Sequence, residues 1–90
     1  MTKKPFYSIM FVCLGNICRS PTAEAVLRHK AKEMKLDEVL HVESSATSHW
    51  SLGQPPDRRS HAAASKRGIT LSGSAKLFRP TDFQRFHYVL

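Results

Sequence analysis

The 90-residue sequence predicts an α/β fold of three layers, a parallel sheet with helices on both faces. Two observations point there. Apolar runs and amphipathic stretches alternate along the chain as strand, loop, helix, strand, helix, strand, the order that builds parallel sheets. The first apolar run, "FYSIMFV", lacks the in–out alternation of a half-exposed strand, which suits a strand covered on both faces.

That first strand is expected over 6–12, with Pro5 in front of it. The loop "CLGNICRS" follows, and then a helix start: Ser20 as cap, Pro21 at the first helical position, Glu24 bringing negative charge to the first turn. Ala23, Val26, Leu27, Ala31 and Met34 recur at helical spacing and predict one buried face. Lys30, Lys32 and Lys35 complement the helix dipole, so the helix should stop near Met34 or Lys35. A short second strand is expected over 39–42, with Glu43, Ser44 and Ser45 leaving it. "ATSHWSLGQPP" reads as a loop. A second helix is expected over 57–67, entered through Pro56 and ended by Gly68. The stretch from Ile69 to Phe86 reads as short helical turns interrupted at Gly73 and Pro80, and "FHYVL" begins a third strand.

In parallel α/β folds, ligands bind beyond the carboxyl ends of the strands, which is where "CLGNICRS" lies. A loop feeding a helix N-terminus offers several backbone N–H groups in a positive field and suits an oxyanion. Gly15 and Asn16 are residue types that tolerate the left-handed backbone of a tight cradle. Arg19 brings a planar pair of donors matched to two phosphate oxygens. Cys13, at the base of the loop, would feel this field as a lowered thiol pKa, giving a nucleophile aimed at phosphorus. Ser20 has two plausible jobs, capping the helix and donating a hydrogen bond to the Cys13 thiolate.

Other classes fit less well. Cys13 and Cys18 are the only cysteines, and the five histidines show no ligand spacing, so neither a metal nor a cofactor is called for. The chain lacks a G-K-[ST] phosphate loop. Lys and Arg outnumber Asp and Glu by 14 to 7, a net charge of +7 that suits anionic partners. Those charges are spread over helix faces without a nucleic-acid motif, and no apolar run approaches the roughly 18 residues of a membrane span, so neither nucleic acid nor membrane is expected as a partner. Two cysteines too close for a disulfide scaffold suit a reducing, cytoplasmic compartment.

The stretch "VCLGNICRSP" resembles the signature V-C-x-G-N-x-C-R-S-P of the low-molecular-weight protein tyrosine phosphatases. "SSATSHWSLGQPPDRR" and "RGITLSGSAKLFRPTDFQRFHYVL" are similar to later segments of the same family. The resemblance implies a cysteine-dependent phosphatase that hydrolyses phosphotyrosine in proteins, or small aryl phosphates, through a phosphocysteine intermediate. It implies Cys13 as nucleophile, Arg19 as phosphoryl clamp, and a phosphate-binding loop of Leu14, Gly15, Asn16, Ile17, Cys18, Arg19 and Ser20. It further implies Asn16, Ser20 and Ser44 as the hydrogen-bonded support of that loop, and Cys18 as a redox partner forming a reversible disulfide with Cys13. Trp50 is similar to the aromatic of the pocket rim, with core packing as its alternative. Asp57 fits a structural helix entry better than a catalytic role.

The chain also departs from the family pattern. Gly73 stands where the family often has His two places before the Ala of H-x-A-R, and His87 stands for the Asp of F-D-Y. The family's general acid is an Asp of an Asp-Pro pair further along, and none of the seven acidic residues here precedes Pro. The resemblance therefore implies that residues 1–90 form a single, incomplete domain, cut short after the start of its third strand. It implies impaired turnover for these residues alone. Two alternatives stand beside this reading. One is a crippled fragment that binds phosphate-like anions without turnover. The other is a relative of the thioredoxin-linked arsenate reductases, which need further cysteines.

Overall fold

The computed structural model describes residues 7–90, so Phe6 of the expected first strand, and Pro5 in front of it, lie outside the described residues. The strands are β1 (Tyr7–Cys13), β2 (Leu40–Ala46) and β3 (Tyr88–Val89), in the spatial order β2-β1-β3 and all parallel. The helices are α1 (Arg19–Glu33), α2 (Arg58–Ser65) and the single turn α3 (Asp82–Arg85). The register sets Phe11 beside Ser44 and Cys13 beside Ala46, so β1 and β2 end together at the loop.

The sheet is covered from both sides, as its side-chain alternation shows. Ser44 points toward α1, where its hydroxyl meets Glu24. Neighbouring Glu43 meets Lys76 and Arg85, so the segment leading through α3 lies on the opposite face. His41 stacks on Phe86 on that same face, with ring centroids 5.9 Å apart. Met10, Val42, Ser45 and Ala46 are the most deeply buried residues of the core, and Ser45 Oγ reaches the Met10 sulfur at 3.3 Å.

Several local expectations need correction. β2 is longer than expected, because Glu43, Ser44 and Ser45 continue the ladder along β1 instead of leaving it. α1 begins at Arg19 with Cys18 at its N-cap, so Ser20 lies inside the helix and caps nothing. Pro21 is consequently the third helical residue, where its missing N–H falls among amides unpaired in any helix. Glu24 is beyond the first turn. Of the face expected to be buried, Ala31 is buried, while Val26 and Met34 are exposed. The C-terminal stop holds: Met34 is the C-cap and Lys35 takes a left-handed φ of 60°. α2 starts after Asp57, whose carboxylate accepts from the amides of Arg59 and Ser60, a capping role. The Ile69–Phe86 stretch is mostly irregular, with α3 as its one helical element; Leu77 makes a parallel bridge to Ala46.

Candidate active site

The loop between β1 and α1 is held from outside by the segment that follows β2. The Thr47 amide donates to the Cys13 carbonyl (2.9 Å), the Ser48 amide to the Leu14 carbonyl (3.0 Å) and the Asp57 amide to the Ile17 carbonyl (2.6 Å). In a planar trans peptide, carbonyl and amide point opposite ways. Drawing these carbonyls outward therefore turns the following N–H groups toward the loop's interior.

Cys13 sits at the floor of that interior. Its Sγ is 3.0 Å from Ser20 Oγ and accepts from the Asn16 amide at 3.2 Å. Partial burial acts to raise the thiol pKa, but it is outweighed by the Ser20 hydroxyl and the amides of Ser20, Asn16 and Gly15; the net direction is down. Hydrogen-bond dipoles thus favour the thiolate.

A buried chain of hydrogen bonds fixes which way each group faces. The Asn16 side-chain amide donates to Ser20 Oγ (2.7 Å) and to Ser44 Oγ (2.9 Å). The Asn16 Oδ1 accepts from the Lys76 backbone amide at 3.1 Å. Because Ser20 Oγ accepts from Asn16, its own hydrogen is directed to Cys13 Sγ, with the Ser45 carbonyl a longer alternative at 3.4 Å. Ser44 in turn donates to Glu24 (2.5 Å), and Glu24 is paired with Arg28 at 2.8 Å. Asn16 takes a left-handed φ of 55°. Gly15 does not, and its open side faces the Ser51 hydroxyl, 3.6 Å from where a Cβ would stand. Of the two permissive residues, only Asn16 uses its freedom.

Arg19 heads α1 and is exposed. Ile17 is half-buried and Leu14 is exposed at the rim. Cys18 is exposed, and its sulfur contacts Ser60 Oγ at 3.1 Å; both cysteines are free thiols. Trp50 is 73% exposed beside Ser51, which excludes core packing. Around Gly73 (φ 85°) there is open space, and a cavity of about 350 Å³ bordered by Asn16, Glu24, Ser44 and Gly73 lies behind the loop. The loop's outer support there is the Lys76 amide. His87 Nδ1 accepts from the Ser8 amide at 3.0 Å, joining β3 to β1. Among the described residues, no three His, Cys, Asp or Glu side chains converge as metal ligands.

Glu24 and the Lys76 amide were not foreseen as parts of this site. Ser20, Glu24 and Arg28 are spaced four apart on one helix face, a signal that could have exposed the first of them. Nothing local in the sequence marks the second.

The family model for low molecular weight phosphotyrosine protein phosphatase matches residues 8–90. The chicken phosphatase of that name is 46% identical over 83 residues, covering 92% of this chain and 52% of the relative. The human one is 42% identical over 90 residues, covering all of this chain and 57% of the relative. The chain thus spans about half the length of the curated relatives it matches. Among solved structures, YfkJ from Bacillus subtilis superposes with a TM-score of 0.91 at 34% identity, over 97% of this chain and 55% of that one. A protein tyrosine phosphatase from Entamoeba histolytica, solved with Hepes in its active site, gives 0.89 at 35% identity, over 92% and 53%. With its cysteine-floored loop in place and the match running from β1 to Leu90, the chain belongs to the low molecular weight phosphotyrosine protein phosphatase family.

Proposed function

We propose that the protein is a cysteine-dependent phosphatase acting on phosphotyrosine or aryl phosphates. The observation that carries this reading is the Cys13 thiol, biased toward thiolate at the floor of a loop whose amides face inward. The phosphoryl oxygens would take those amides and the paired donors of Arg19. Cys13 attacks phosphorus, the S–P bond forms as the bond to the aryl oxygen breaks, and the aryl oxygen leaves with a proton. Water then attacks phosphorus, the S–P bond breaks, and inorganic phosphate departs. Ser20 assists this second step by donating to the sulfur as it regains its charge.

Proton supply is the weak part of these 90 residues. Glu24 is committed to Ser44 and Arg28, and Asp57 to the α2 cap. No Asp-Pro pair occurs in the sequence. A positioned general acid typically contributes about 10²–10⁴ in rate. The 90 residues alone should therefore turn over slowly, and capture of phosphate-like anions without turnover is the second reading. An arsenate-reductase relay would need a third cysteine, which the chain lacks.

Hydrolysis of p-nitrophenyl phosphate, competitively inhibited by vanadate, is the direct test. Cys13→Ser and Arg19→Ala should each abolish it; unimpaired turnover in Cys13→Ser would sink the mechanism. Phosphate-dependent thermal stabilisation without hydrolysis would favour the anion-binding reading. Among the described residues no helix is long and apolar enough to cross a membrane. A cytoplasmic location rests on the cysteine usage. Oxidant sensitivity through a Cys13–Cys18 disulfide would appear as thiol-reversible loss of activity.

A further inference from the structure

The two cysteines of the loop each lie against a serine, and the two serines are wired in opposite directions. Ser20 accepts from the Asn16 side chain, so its own hydrogen is directed to the Cys13 sulfur. Ser60, in the first turn of α2, meets the Cys18 sulfur at 3.1 Å and the Asp57 carboxylate at 3.4 Å. An ionised carboxylate only accepts, and Asp57 Oδ2 already takes the amides of Arg59 and Ser60. The arrangement that gives both remaining hydrogens an acceptor sends the Ser60 hydrogen to Asp57 and the Cys18 thiol hydrogen to Ser60 Oγ. Ser20 thus supports a charged sulfur at Cys13, whereas Ser60 engages Cys18 as a thiol. The backbone fixes the same junction, because the Asp57 amide donates to the Ile17 carbonyl at 2.6 Å, one residue before Cys18. The Cys13 sulfur is held by Ser20 and Asn16, so the two sulfurs have no partner in common, and both are free thiols.

We propose that Ser60, backed by Asp57, is a positioning residue that holds the Cys18 thiol on α2 and so slows closure of a Cys13–Cys18 disulfide when a peroxide oxidises the loop. The proposal rests on the redox reading of Cys18 and adds the element that regulates it. Peroxide meets Cys13 first: the thiolate takes one peroxide oxygen, the O–O bond breaks, hydroxide leaves, and a sulfenic acid remains. Cys18 then attacks that sulfur; the S–S bond forms, and the sulfenic hydroxyl leaves as water with the proton Cys18 gives up. Closure brings the sulfurs to about 2 Å of each other, so Cys18 has to leave its place against Ser60. Until it does, a second peroxide can convert the sulfenic acid to sulfinic acid with loss of water, a step that ordinary thiols do not reverse. The contact with Ser60 therefore sets the balance between reversible and irreversible oxidation of Cys13.

The test follows the purified protein under hydrogen peroxide by intact mass, with peptide mapping to place the disulfide. A thiol is a weak donor, so Ser60→Ala should close the disulfide about two- to fivefold faster than the parent and leave less Cys13 sulfinic acid. Asp57→Asn keeps an oxygen for the helix cap but turns a donor toward Ser60, which sends the Ser60 hydrogen to Cys18; closure should again quicken. Ser60→Thr keeps the hydroxyl and should close at the parent rate. A general loosening of the loop is separated by the first step. In a Cys18→Ser background, trapping of the Cys13 sulfenic acid with dimedone should proceed equally with Ser60 or Ala at position 60. Equal closure in the parent and Ser60→Ala, or a gain wholly explained by faster oxidation of Cys13, overturns the proposal. Absence of a Cys13–Cys18 disulfide in the parent and every variant overturns the redox reading and the proposal with it, so the two failures are distinct.

Discussion

Two polar networks lie on opposite faces of β2, and they are built from different materials. The one facing α1 is buried and centred on neutral donors: Cys13, Ser20, Asn16 and Ser44 linked in series, with charge entering only at Glu24. The one on the other face is ionic, with Glu43 held between Lys76, His41 (2.5 Å) and Arg85 (3.3 Å). Its carboxyl is partly buried, which acts to raise its pKa, yet Lys76 and His41 outweigh this and bring it down to about 2. The contrast follows from what each network holds. Hydrogen-bond dipoles lower the Cys13 thiol without placing a carboxylate beside it, whose negative charge would oppose the thiolate. Glu43 fastens the segment 76–85 to the sheet, and through Lys76, whose amide donates to Asn16, it reaches the loop only at second hand.

Substitution at Asn16 tests the neutral network most severely. Asn16→Ala removes three side-chain hydrogen bonds, leaves Ser20, Ser44 and the Lys76 amide short of a partner, and puts a Cβ-only residue at φ 55°. Denaturant unfolding should show a loss of about 3–4 kcal/mol. Asn16→Gly, free of the backbone strain, should recover about 1 kcal/mol of it. Equal stabilities for these two variants would show that the left-handed backbone costs nothing here.

The ionic network should break more gently. Glu43→Gln should cost about 1–2 kcal/mol at neutral pH, a figure discounted for the half-exposed partners. The folded carboxyl titrates below its ordinary value, so its contribution is fully present above about pH 4.5 and disappears as pH falls toward 2. The difference between the parent and Glu43→Gln should therefore close over that window in acid titrations of stability. High salt should narrow it as well, while leaving the cost of Asn16→Ala unchanged. A salt-sensitive Asn16 variant would contradict the division drawn between the networks.

Ser20→Ala is the smallest expected change to the fold and the most selective for chemistry. Its stability cost should be about 1 kcal/mol. Because the lost hydroxyl donates to Cys13, the pH midpoint for alkylation by iodoacetamide should move upward. Iodoacetamide rates below neutral pH should fall accordingly. An unmoved midpoint would assign the thiolate bias to the backbone amides alone.

Much of this site was legible along the chain because its parts are consecutive. Cys13, the loop, Arg19 and the start of α1 follow from one strand–loop–helix passage, where local backbone chemistry decides the elements. The errors came where neighbours distant in sequence intervene. Of the two jobs Ser20 suggests, the cap fails because the helix already starts at Arg19, while its hydroxyl does lie against the Cys13 sulfur. "ESSA" reads as the polar exit from a strand, but pairing with β1 and cover on both faces carry β2 through to Ala46. The sequence by itself determined an α/β chain whose first strand runs into a cysteine, a short loop and an arginine at a helix start. Only the tertiary structure decided that Glu24 and the Lys76 amide join Ser44 in orienting that loop, because hydrogen-bond direction depends on partners 20 to 60 residues apart.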